Sequence, residues 1–197
     1  MGKRGRKQGS SGEHSKAQLL SIAADEFAEH GYFSTKISTI VKKAGVTQPT
    51  FYLYFPSKEA IFQELVGLFR NKFALLTKKS RLETGLELDS LPGRIAIGLT
   101  AIFQFFYDNR SLTKIGLYLS DDAEEIKNDI VQLITENLES EQRDGYFRTN
   151  VEMRTVAESL VGIMERLTAT YLFQDKKKPE ELAREIVDLL LYGLQVK

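Results

Sequence analysis

Within VTQPTFYLYFPSK, residues 46–58, the chain sets Thr47, Gln48, Pro49 and Thr50 just ahead of Tyr52, Leu53 and Tyr54, with Lys58 closing the segment. The side-chain amide of Gln48 can bond an adenine edge with both of its atoms, while Pro49, the Thr50 methyl and Leu53 can pack on thymine methyls. Tyrosine hydroxyls and a lysine ammonium suit phosphate oxygens, which set register on a duplex without reading its sequence. No arginine lies in this stretch. Guanine, which arginine reads best, should therefore matter little, and A·T-rich half-sites are expected. A helix end built only for packing needs Phe51 and Phe55 but not this density of polar groups. The competing reading is ordinary surface, with the tyrosine hydroxyls and Lys58 in water.

Such groups work only if an element holds them in a row. Pro49 belongs in the first turn of a helix and Thr47 is a good cap, so a helix should begin near Thr47 or Gln48 and turn Phe51 and Phe55 inward. Ahead of it, Ile37, Ile40, Val41 and Ala44 repeat at helical spacing, after Ser34-Thr35 and before Gly45. Two short helices joined at one glycine, the second with a free polar start, form a helix-turn-helix whose second member can enter the major groove. Backbone amides at the helix starts near Thr35 and Thr47 would add phosphate donors. A preceding helix runs from about Ser15, with Leu20, Ala24 and Phe27 on one face, and His30-Gly31 supplies its stop. Residues 1–14, MGKRGRKQGSSGEH, should be a flexible basic arm.

The stretch from about Leu19 to Leu65, above all FYLYFPSKEAIF, resembles the N-terminal domain of TetR-family transcriptional regulators. That resemblance implies a helix-turn-helix DNA-binding domain at residues 15–58 and an effector-binding and dimerisation domain at 59–197. It also implies a homodimeric repressor that meets a palindromic operator and leaves it when a small ligand binds. The family usually opens its second helix with two threonines, whereas this chain has Thr35-Lys36. Lysine stands where a hydroxyl would meet phosphate.

Past Lys58 the apolar residues keep helical spacing and never alternate as strands do, so the class is all-α: a three-helix N-terminal domain plus a larger helical one. Ser57 caps a long fourth helix whose apolar stripe is long enough to join the two. Phe69, Phe73, Phe103, Phe106, Tyr107, Tyr118, Met164 and Tyr171 are candidates to line a cavity for an apolar or amphipathic effector, though any one of them could simply be core. Asn150 can cap one late helix, carrying Val156, Leu160, Ile163 and Leu167, and Pro179 opens the last. There Ile186, Leu189 and Leu190 are joined by Val187, Leu191 and Leu194, with Gly193 among them. A helix apolar nearly all round must be buried on more than one side. The family resemblance assigns its second face to a partner subunit, in a four-helix bundle.

Charge and composition narrow the alternatives. The net charge is zero, yet residues 1–58 hold nine Lys or Arg against four acids, a balance of +5. An acidic partner for that third of the chain is indicated, and nucleic acid is the commonest. There is no cysteine, and the two histidines stand apart in sequence, so neither thiol chemistry, a metal site nor a cofactor is expected. No nucleophile-base pair or phosphate loop supports an enzyme. No apolar run approaches the roughly 18 residues needed to span a bilayer, and the basic start leads into Gly and Ser rather than an apolar segment. The cytoplasm is the expected location.

Overall fold

The computed structural model describes residues 8–195, with side chains from Gly12 onward. Every regular element among them is helical. The small domain comprises α1 (Gln8–Ser34), α2 (Ile37–Lys43) and α3 (Gln48–Tyr54), and α4 (Lys58–Ser80) leads out of it. The larger domain adds α5 (Leu91–Asp108), α6 (Arg110–Lys114), α7 (Ala123–Arg143), α8 (Met153–Leu167) and α9 (Pro179–Tyr192). Residues 8–14 of the expected arm are the start of α1, while residues 1–7 lie outside the described residues. The glycine stop at the end of α1 is real but brief: Gly31 takes φ 79°, and helical backbone resumes through Ser34.

Side-chain caps set the starts of α3, α4 and α8. The Thr47 hydroxyl accepts the Thr50 amide at the start of α3, and the Ser57 hydroxyl accepts the Ala60 amide at the start of α4. Between α2 and α3, Gly45 adopts φ 62°, a conformation that side chains resist. The start of α8 departs from expectation. Its cap is Glu152, whose carboxylate accepts the amides of Arg154 and Thr155, rather than Asn150. A carboxylate at the positive end of the helix suits both the free amides and the dipole, and a hydrogen bond from the Thr155 hydroxyl, with those from the amides, holds Glu152 below the usual carboxyl range.

One continuous core joins the two domains through α4. At its start Phe62 packs edge-on against Phe27 of α1, with ring centroids 5.1 Å apart. Further along, Phe69 and Phe73 face Phe105 and Phe106 of α5. After α6 the chain winds as a wider π-helical turn, Ile115–Leu119, and Gly116 lies directly against the Phe69 ring, where a Cβ would come within 2.1 Å. No side chain fits there. Thr113 on α6 is fully buried and its hydroxyl has no hydrogen-bond partner. Replacing it by the isosteric Val removes an uncompensated polar group, so Thr113→Val should stabilise the protein by up to about 1 kcal/mol. Calorimetry should then show Tm raised by roughly 2–4 °C.

Candidate nucleic-acid interface

Phe51 and Phe55 are buried, and they fix how α3 is rolled about its axis. Gln48, Pro49, Tyr52 and Leu53 consequently face solvent, Leu53 with 80% of its surface exposed. Thr50 is half-buried and shares a 2.8 Å hydrogen bond between hydroxyls with Thr47, which leaves its methyl as the group it can offer. One side of this short helix thus carries an amide, a proline ring, a phenol and an isobutyl group, of which Pro49 also opens the helix and Tyr52 packs edge-on against Phe51. Tyr54 is half-buried and points its hydroxyl toward the first turns of α1, beside Gly12. Lys36 caps α2 through its backbone alone and is exposed, as is Lys42 at the other end of that helix.

Two expected phosphate donors have other partners. Thr35 is buried, and its hydroxyl donates to the carbonyls of Glu26 and Gly31 at the end of α1. The Lys58 ammonium donates to the carbonyls of Tyr32 at 2.8 Å and Thr35 at 3.0 Å, and it lies 4.4 Å from the centre of the Tyr32 ring. These residues tie the ends of α1 and α4 together. Tyr32 completes the joint by donating to Glu59 at 2.6 Å. That hydrogen bond, with burial and the Glu59 charge, pushes its phenol up to about 12. On the other side of the domain, buried Glu26 pairs with Lys43 and so anchors α2 to α1. Glu26, Glu29 and His30 bring possible ligand atoms within 4.8 Å of one another, but Glu26 is already engaged by Lys43. Phe33, a residue with no expected role, stands 91% exposed at the α1–α2 turn.

The small domain is coupled to the larger one by more than α4. Ser111 on α6 donates to Asp25 on α1 at 2.7 Å, so a shift of α6 would be felt directly by the helix that carries α2. In the larger domain the aromatic candidates divide. Phe69, Phe73, Phe103, Phe106 and Met164 are buried, and the four phenylalanines pack on one another as solid core. Tyr107 donates to Asp175, Tyr118 donates to the carbonyl of Glu165, and Tyr171 sits beneath Lys177. These rings fill space rather than enclose it. Tyr107 also borders a polar cleft of about 480 Å³ with Asp175 and Lys177, and a more apolar space lies at the other end of the domain. A chamber of about 490 Å³ is walled by Ile95, Leu99, Val156, Leu160 and Leu190, and it adjoins a smaller one of about 80 Å³ that reaches Thr77, Glu141 and Met164.

The apolar face of α9 also differs from expectation. Ile186 and Val187 are buried within the subunit and Leu191 is half-buried, whereas Leu189, Leu190, Tyr192 and Leu194 are exposed. Alongside, α8 presents half-buried Val156, Leu160, Ile163 and Leu167, and exposed Gly162 has open space where a Cβ would stand. Each of these two helices thus leaves apolar side chains uncovered.

No described helix is long and apolar enough to cross a membrane. Residues 19–65 match the family model of bacterial regulatory proteins, tetR family. The chain is 46% identical over 188 residues to an uncharacterized HTH-type transcriptional regulator, YdgC, of Bacillus subtilis, covering 95% of this chain and 96% of that one. It is 24% identical over 190 residues to the fatty acid metabolism regulator protein of Bacillus subtilis, covering 91% and 95% of the two chains. Among solved structures, the fatty acid degradation regulator FadR of Bacillus halodurans superposes over the whole of both chains with a TM-score of 0.73 at 25% identity. FadR of Bacillus subtilis in complex with stearoyl-CoA superposes with a TM-score of 0.70 at 21% identity, over 91% of this chain and 99% of that one. The relatives are regulators of transcription rather than enzymes. With its helix-turn-helix, its wholly helical second domain and a relative alike from end to end, the chain belongs to the TetR family of bacterial regulatory proteins.

Proposed function

We propose that the protein is a cytoplasmic, homodimeric repressor that blocks a promoter and is released by a small apolar or amphipathic ligand. The observation that carries the DNA-binding half of this reading is the outward row Gln48, Pro49, Tyr52 and Leu53 on a helix rolled by two buried phenylalanines. Two such helices, related by a two-fold axis and one helical turn of DNA apart at roughly 34–36 Å, would read a palindrome. Gln48, Pro49, the Thr50 methyl and Leu53 read A·T-rich half-sites. Tyr52, Tyr54, Lys36 and the exposed rim around Thr47 hold the phosphates, while Thr35 and Lys58 keep the α1–α2 turn in place for them. The likeness to regulators of fatty acid metabolism supports an apolar effector, and the chamber between α5, α8 and α9 offers it space. A ligand preferring a different spacing of the two α3 helices shifts the population off DNA by its differential affinity for the two arrangements.

Sequencing the DNA retained by the purified protein identifies the operator. Reporter expression in a deletion strain then separates a repressor, whose loss raises expression, from an activator or a corepressor-dependent regulator. Read from its sequence, the chain also bears a resemblance to the regulator of a bacterial pore-forming haemolysin, and the same capture would reveal or exclude such a target. On the recovered operator, Gln48→Ala should lower the preference for the native base over its competitors about tenfold. Tyr52→Phe should instead weaken operator and scrambled duplex alike. Fluorescence anisotropy on both duplexes checks the pair, and a Gln48→Ala protein with unchanged base preference would remove Gln48 from the reading face.

A further inference from the structure

The smaller chamber is apolar on most sides but polar at its floor. Its lining includes Leu82, Ile102, Ile134 and Met164 together with the polar residues Thr77, Ser80, Asn137 and Glu141. Glu141 is 5% exposed and accepts the Leu82 amide at 2.8 Å. Asn137 donates to the Thr77 carbonyl at 2.9 Å. The Thr77 hydroxyl is buried with no partner at all. A buried hydroxyl without a partner costs free energy unless something else completes it. The chamber also shares Ile95, Leu99, Leu138, Phe147 and Leu160 with the larger one, so the two lie side by side.

We infer that the effector is an apolar molecule whose leading end carries a hydrogen-bond donor, an alcohol or an amine, which sits on Glu141 and the Thr77 hydroxyl while its apolar body fills the larger chamber. This rests on the reading of the protein as a ligand-released regulator and adds the chemistry of the ligand. A carboxylate acceptor at the end of an apolar tunnel selects donors and opposes anions, since an entering carboxylate would face Glu141 across a medium that screens poorly. Burial holds the Glu141 carboxyl above its ordinary range, against the Leu82 amide and the charge of Arg81. A methyl-first acyl chain would leave the Thr77 hydroxyl without a partner, which sets this site apart from one shaped for an acyl thioester entering by its tail.

The test uses the full-length protein with decan-1-ol, decylamine, decanoate and stearoyl-CoA as probes, read by titration calorimetry and by the shift in Tm. One or both donor-ended probes should bind, with decanoate and stearoyl-CoA at least about tenfold weaker. Glu141→Gln, which keeps an acceptor for the Leu82 amide, should weaken decylamine about tenfold or more, the loss of one charge-assisted hydrogen bond. Thr77→Val removes a hydroxyl that has no partner in the free protein, so it should fold normally and weaken the alcohol or amine that binds. Tighter binding of decanoate or stearoyl-CoA than of either donor-ended probe would overturn the assignment, as would binding indifferent to both substitutions. Operator binding is measured separately. A donor-ended probe that binds without loosening the operator complex leaves the site intact and removes only the release mechanism.

Discussion

Leu190→Glu is expected to give a folded, helical monomer that has lost its operator. The exposed residues Leu189, Leu190, Tyr192 and Leu194 would make a monomer carry an apolar patch of the kind that monomeric proteins rarely leave open. On α8, Leu160, Ile163 and Leu167 are half-buried, and Gly162 leaves room for another helix to approach closely. A two-fold partner laying its own α8 and α9 on this face would bury the same residues from both sides, as an isologous interface requires. The expected penalty is large because a dimer binds its second half-site at high effective concentration. Linking two modules raises the overall affinity by about 10²–10⁴, so a monomer should bind the operator about 100-fold more weakly or worse. Light scattering, circular dichroism and anisotropy together decide the matter. Gly162→Arg provides a second route, since its side chain enters open space in the single chain and would collide only with a partner. If either variant remained dimeric with unchanged operator affinity, the interface would lie elsewhere. Unfolding of Leu190→Glu, with Gly162→Arg dimeric, would mark the residue as core.

Helix ends were the most legible part of the sequence where a local cap sets them. Thr47 before Pro49 and Ser57 before Glu59 mark the starts of α3 and α4 because the cap bonds an amide three residues away. The glutamate cap of α8 was harder to see because Asn150, a better cap by type, stands two residues earlier. Across α9 the leucines run almost continuously, so the sequence does not say which side faces inward. Only packing against α5 decides that Val187 is buried and Leu189 is not. The cavity was illegible for a related reason. A list of aromatic residues does not distinguish rings that stack on one another, as Phe69, Phe73 and Phe106 do, from rings that enclose space. Glu141, which gives the smaller chamber its polarity, sits in a stretch of Glu, Asn and Gln typical of a solvated helix face. Its burial comes from the loop that returns over it to place the Leu82 amide on its carboxylate.

Lys58→Met should destabilise the protein and weaken DNA binding without changing how that binding depends on salt. An ammonium has three protons to donate, and Lys58 directs its own at the carbonyls of Tyr32 and Thr35, with Phe33 at the longer distance of 3.5 Å. These carbonyls lie in the turn after Gly31, where α1 ends and its dipole is negative. Methionine keeps most of the apolar stem over the Tyr32 ring but leaves the carbonyls without their donor. The loss should be about 2 kcal/mol for charge-assisted bonds at a half-buried site, lowering Tm by roughly 4–8 °C. The turn also sets where Lys36 and α2 stand relative to α3, so affinity should fall for operator and scrambled duplex together. A lysine that displaced counterions from phosphate behaves differently, since its removal lowers the slope of log affinity against log salt by about 0.9. Salt titrations of wild type and variant, beside their melting curves, separate the two roles. A reduced slope with Tm unchanged would move Lys58 from the joint between α1 and α4 to the phosphate backbone.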